Sequence, residues 1–126
     1  MTKNLDNDGL RSIVENYDIF YIDLWGVVHN GITLHKKAIE ALEEITRANK
    51  EYVLLTNAPR PNKTVNNFLE KMGMNKEIRE KVYSSGEAAL NYLRKNSLKE
   101  KFYHIGPPRD FDLFLDFKKN KTNDIS

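Results

Sequence analysis

Four times along this chain a short, nearly continuous apolar run is followed by a segment with helical apolar spacing, and that alternation constrains the fold more than any other feature. The runs are "DIFYID" (18–23), "EYVLLT" (51–56), "KVYS" (81–84) and "KFYHIG" (101–106). Apolar runs of this length suit strands buried on both faces. Between them, Ala38, Ile39, Leu42 and Ile45 share one side of a helix predicted over 35–49, and Val65, Phe68, Leu69 and Met72 share one side of the next. Gly73 can end that second helix. "SSGE" (84–87) has the form of a capping box opening a third helix that runs to Asn96. A last amphipathic piece spans about 110–117, and "KKNKTNDIS" reads as a polar, frayed tail. Ahead of the first strand, Leu10, Ile13, Val14 and Tyr17 predict one more amphipathic helix, capped by Asn7 or Asp8.

Strand and helix in alternation predict an α/β fold, a Rossmann-like three-layer parallel sheet with helical crossovers. One domain over 1–117 is expected, with 118–126 as tail. In open parallel sheets the ligand lies beyond the carboxyl ends of the strands. Asp23, Thr56, Ser84 or Ser85, and Gly106 stand at such ends. A carboxylate closing an apolar strand either caps the following loop or serves a site. Thr56-Asn57 at the next strand end favours the site, because a hydroxyl and exposed amides there can hold a phosphate beside the carboxylate.

Twenty basic and 18 acidic side chains leave a formal charge of +2, too balanced to make nucleic acid or an anionic membrane a default partner. The clusters Lys36-Lys37, Lys99 to Lys101 and Lys118 to Lys121 read as solvated surface. Aromatic and basic residues do not interleave as single-strand nucleic-acid binding requires. No cysteine is present, which removes disulfides, thiolate metal sites and a Cys nucleophile, and suits a reducing interior. No apolar run approaches the ~20 residues needed to span a bilayer. A cytoplasmic location is expected. His29 follows Asp23 closely and is either a surface residue or a weak proton carrier; His35 starts a helix, and His104 is a hydrogen-bonded strand residue.

"FYIDLWGVVHNG" (20–31) and "VLLTNAPR" (53–60), in this order, resemble the opening motifs of the haloacid dehalogenase superfamily, in its nitrophenylphosphatase and phosphoglycolate-phosphatase-like branch. "FLEKMGM", "VYSSGEAALNYL" and "FYHIGPPRD" resemble the segments that follow, so the likeness covers about 18–116. The resemblance implies that Asp23 is a nucleophile forming an aspartyl-phosphate, that Asp23 and the Trp25 carbonyl bind Mg²⁺, and that Thr56, Asn57 and the Leu24 amide hold phosphoryl oxygens. It also implies a phosphorylated small molecule as substrate.

Two departures stand out. Where the family places a second aspartate as general acid, this sequence has Trp25, whose indole has no titratable proton near neutral pH. Either it packs over the crevice or the chemistry has changed. The family's lysine motif and acidic motif find no match: Lys63 follows no such pattern, and Asp110, Asp112 and Asp116 read as helix-start or surface carboxylates. On the resemblance, the chain corresponds to an N-terminal half, expected to stop before the cap domain and the remaining core strands. The Asp23 strand then becomes an apolar edge, which invites a homodimer or a companion C-terminal half. Three outcomes stay open: a Mg²⁺-dependent phosphatase completed by a second polypeptide, a non-catalytic module that self-associates or binds phosphate, and a fragment that does not fold alone.

Overall fold

A computed structural model of the chain describes residues 4–96 and 101–124. Three parallel strands, β1 (Ile19–Asp23), β2 (Glu51–Thr56) and β3 (Val82–Ser84), form the main sheet in the order β1-β2-β3. Register runs from Ile19 opposite Glu51 to Asp23 opposite Leu55, and Thr56 lies opposite Ser84. The expected α/β architecture with helical crossovers is what forms, and β1 is an edge strand.

Ahead of the sheet, α1 is a single turn, Leu5–Asp8, capped by the Asn4 side chain. The helix expected through Leu10 and Tyr17 is instead two 3₁₀ turns, Leu10–Ser12 and Val14–Asn16. Gly9 at φ 69° and Ile13 at ψ −5° interrupt it, so neither Asn7 nor Asp8 caps anything longer. The crossovers follow their periodicity closely. α2 (Lys36–Arg47) buries Leu42 and Ile45, and α3 (Asn62–Lys71) buries Val65 and Leu69. Gly73 at φ 85° ends α3 as expected, its amide and that of Met74 bonding back to Glu70 and Leu69. A short α4 (Lys76–Arg79) then leads into β3.

These helices meet Tyr52, Leu54 and Val82 in one apolar core, with Phe20 and Ile22 packed against it. Only that face of β1 is covered. Ile19 is 43% and Tyr21 66% exposed on the opposite face, which corrects the expectation of a strand buried on both sides. An apolar run records what a strand is made of, not whether a second layer arrives to cover it. On that second face the layer is α5 (Ser85–Asn96), whose Ala88 shares a cleft with Tyr21 and Tyr83.

The fourth expected strand is also corrected. β4 is only Phe102–Tyr103, and it pairs in parallel with β5 (Lys121–Thr122), inside the segment read as a frayed tail, in a separate two-stranded sheet. His104 lies outside the strand, with its ring 4.9 Å from that of Phe114. Phe102 packs on the same ring, which draws the segment onto the 3₁₀ helix 108–117 rather than into the main sheet. Among the described residues no helix is long and apolar enough to cross a membrane.

Candidate functional site

The main sheet delivers three strand ends to one place. Asp23, Thr56, Asn57, Ser84 and Ser85 border a cleft of about 480 Å³. Tyr21, Leu55 and Tyr83 make its apolar wall. Parallel pairing is the cause: with β1, β2 and β3 in register, their terminal residues cannot avoid the same crevice.

The Asp23 carboxylate accepts the Leu24 amide at 2.8 Å through Oδ1, so that amide lies on the carboxylate's side while the Leu24 side chain is buried. Leu24 and Val28 then pin the loop from beneath, and the Leu24 carbonyl accepts amides of Val27, Val28 and His29. Trp25 does not cover the crevice. Its indole, 62% exposed, leans over Gly31, where a Cβ would come within 2.3 Å of Cη2, and stands edge-on to His29 at 5.4 Å. Gly31 is needed there both for its φ of 90° and for that close approach.

His29 is neither at the surface nor in the cleft. It is 4% exposed, its Nδ1 accepts the Gly31 amide at 3.0 Å, and Phe68 closes its other side at 5.8 Å. That bond requires a neutral ring with the proton on Nε2. Burial lowers its pKa below the usual histidine value, the His35 charge adds to this, and Asp23 opposes it. The residue therefore holds the loop rather than carrying protons to substrate.

On the β2 side, Thr56 Oγ1 accepts the Ala58 amide at 3.2 Å, and Asn57 is exposed at the rim. The loop continuing from it is fastened to the start of α5. The Ala58 carbonyl accepts the Gly86 amide at 3.1 Å and the Ser85 hydroxyl at 3.0 Å, and the Arg60 carbonyl accepts the Ser84 hydroxyl at 2.5 Å. Only half of the predicted capping box forms. Ser84 Oγ accepts the Glu87 amide, but Asn62 Oδ1 takes the Ser84 amide, and Glu87 turns to the Asn62 amide at 3.0 Å. The Arg94 guanidinium and that amide hold the Glu87 carboxyl below its usual range, against a smaller opposing effect of burial. The two helix starts cap each other, which sequence spacing within one helix does not reveal.

Sequence reasoning also missed Arg60, since "NAPRPN" reads as a loop. Asp110 is 5% exposed and pairs with Arg60 at 3.4 Å, and Asp112 accepts Arg60 at 2.8 Å and the Thr64 hydroxyl at 3.1 Å. Asp110 stands in the first turn of the 3₁₀ helix, one of the two placements expected, but both carboxylates are partnered by Arg60 rather than free on the surface. Asp116 is exposed, as is Lys63, and neither borders the cleft.

A divalent cation would find one carboxylate here, Asp23, and the Trp25 carbonyl, which the turn's own hydrogen bonds leave unused. Among the described residues no three His, Cys, Asp or Glu side chains converge as a metal site. Mg²⁺ retains waters but takes carboxylates and substrate phosphates as its fixed ligands. The donor set in this chain does not by itself fit the ion.

With this geometry in hand, solved structures give close matches. A haloacid dehalogenase-like hydrolase from Brucella suis 1330 is 30% identical with a TM-score of 0.69, covering 83% of this chain and 38% of its own. A 4-nitrophenylphosphatase from Thermotoga maritima is 22% identical with a TM-score of 0.64, covering 81% and 39%. NagD from E. coli K-12 is 22% identical at a TM-score of 0.57, covering 77% and 38%. The chain thus spans about two-fifths of the length of the structures it matches. No curated protein sequence matches it. A sequence model for haloacid dehalogenase-like hydrolases matches residues 20–117, most of the chain and all three strands of the main sheet, and the protein belongs to that family.

Proposed function

We propose that this chain is the nucleophile-bearing part of a cytoplasmic phosphate-ester hydrolase acting on a phosphorylated small molecule, and that alone it is weak or inactive. One observation carries the proposal: Asp23, Thr56 and Asn57 meet in a single cleft at the carboxyl ends of adjacent parallel strands. An Asp23 oxygen forms a bond to phosphorus as the ester P–O bond breaks. Water then attacks the aspartyl-phosphate, releasing phosphate and restoring the carboxylate. On this reading Thr56 Oγ1 and the Asn57 amide hold phosphoryl oxygens, joined by the Leu24 amide once it leaves its bond to Asp23 Oδ1.

Two features argue for weakness. The leaving oxygen finds no proton donor at Trp25, and losing acid-base help typically costs ~10²–10⁴ in rate. Among the described residues the carboxylate also meets an anionic phosphate with no cluster of three His, Cys, Asp or Glu side chains to hold an offsetting cation.

Two substrates separate these causes. p-Nitrophenyl phosphate, whose leaving group departs as an anion, should show slow turnover with Mg²⁺ that Asp23→Asn abolishes. With an alkyl phosphate, Trp25→Asp should raise the rate by up to ~10²–10⁴-fold over the native chain. Equal p-nitrophenyl phosphate rates in the native chain and Asp23→Asn would remove Asp23 as nucleophile.

A second reading is favoured by the open face of β1, where Ile19 and Tyr21 stand exposed next to Leu55 of β2 along the cleft wall. On it the chain is an association module that covers this face with another copy of itself or with a companion half.

A further inference from the structure

Arg60 is the node at which three parts of the molecule meet. Its guanidinium reaches Asp110 and Asp112 on the 3₁₀ helix 108–117. Its carbonyl accepts the Ser84 hydroxyl at the end of β3. Its backbone lies so close to Gly86 that a Cβ there would stand 2.4 Å from the Arg60 nitrogen. Four residues earlier in the chain is Thr56, with Asn57 next, the polar β2 contribution to the cleft.

A loop that presents amides to an anion must be held in place before the anion arrives, since ordering it on binding subtracts from affinity. The Ala58 carbonyl is held by Gly86 and Ser85, but those bonds fix only its α5 side. What restrains the loop from the other direction is the pair of carboxylates on Arg60, tied in turn to the start of α3 through Thr64 and Asp112. Charge-assisted bonds to a half-buried guanidinium are among the stronger polar contacts a fold can make. Isolated exposed ion pairs elsewhere on this surface, such as Lys36–Glu40, restrain nothing comparable.

We propose that Arg60, Asp110 and Asp112 form a positioning clamp through which the 108–117 segment sets the geometry of the Thr56–Asn57 loop. Its consequence for binding rests on the phosphate-cleft proposal above; its consequence for loop order does not. The three residues touch no reacting atom and act only through the loop.

The test uses the full chain and the shape-preserving double variant Asp110→Asn/Asp112→Asn, with inorganic phosphate as the probe. Two amides report by hydrogen exchange: Gly86, which donates to the Ala58 carbonyl, and Leu54, which donates to Lys81 at the sheet core. Phosphate titration followed by amide shifts at Thr56 and Asn57 reports binding. The expected result is Gly86 exchange about tenfold faster, Leu54 exchange unchanged, and a several-fold weaker phosphate response. Unchanged Gly86 exchange overturns the clamp. Equal acceleration at Gly86 and Leu54 also overturns it, because the ion pairs then serve global stability alone. A native chain whose Thr56 and Asn57 amides ignore phosphate sinks the phosphate-cleft proposal instead, and the clamp is then decided by the two exchange rates. Arg60→Lys, which keeps charge but loses the planar fork, should fall between the native chain and the double variant if the clamp depends on paired geometry.

Discussion

Protonating His29 on Nδ1 would remove the acceptor for the Gly31 amide and place a charge in an aromatic enclosure between Trp25 and Phe68. Burial already lowers the folded-state pKa below the ordinary value of 6.5. The unfolded chain therefore binds more protons than the folded one between that lowered pKa and 6.5, and stability rises with pH across the window. Its full contribution is present above pH 6.5 and is lost as pH falls through the window toward the folded value. The urea midpoint should accordingly drop between pH 7.5 and 5.5. In His29→Asn, which offers an amide oxygen to Gly31 but cannot titrate, the drop should be smaller. Equal drops would show that some other group sets the acid sensitivity. Spacing after Asp23 drew attention to this histidine, but its burial was illegible in the sequence, because Phe68 arrives from α3, nearly forty residues away.

Elements whose apolar residues repeat on one face were readable at once: α2, α3 and the three strands of the main sheet lie where their patterns place them. The failures share a different cause. The helix expected before β1 breaks at Gly9 and Ile13, where the local backbone leaves the helical region. The fourth strand is short because Phe102 finds an aromatic partner in Phe114. α5 shows how far element boundaries depend on neighbours. The Ser84 hydroxyl takes the Glu87 amide as half of its own box, but the Ala58 carbonyl of the loop before α3 takes the Gly86 amide, and Glu87 turns away to the Asn62 amide at the start of α3. Gly86 makes that contact possible. Gly86→Ala would set a Cβ against the Arg60 backbone, which cannot swing aside like a side chain, and should cost about 1–3 kcal/mol. Denaturant unfolding measures this directly. A native midpoint would mean that α5 can shift away from the loop at no cost.

At the scale of the whole molecule the salient fact is an α/β sheet with one well-covered face, one thinly covered face and an open edge at β1. Exposed apolar strands of this kind favour association. Sedimentation at rising concentration should show self-association that Tyr21→Glu suppresses, since that side chain is the most exposed of the strand's apolar residues. A native chain that stays monomeric throughout would count against the association module. The sequence by itself determined the three strands of the main sheet, the main crossovers and the candidate chemistry at Asp23 and Thr56-Asn57, because apolar periodicity and strand-end polarity are local properties. Only the tertiary structure decided that Trp25 leans on Gly31 away from the cleft, that His29 is buried, and that Asp110 and Asp112 belong to Arg60. Each of these is a contact between segments far apart in the chain or folded back on themselves, and its geometry exists only once the sheet has fixed where those segments meet.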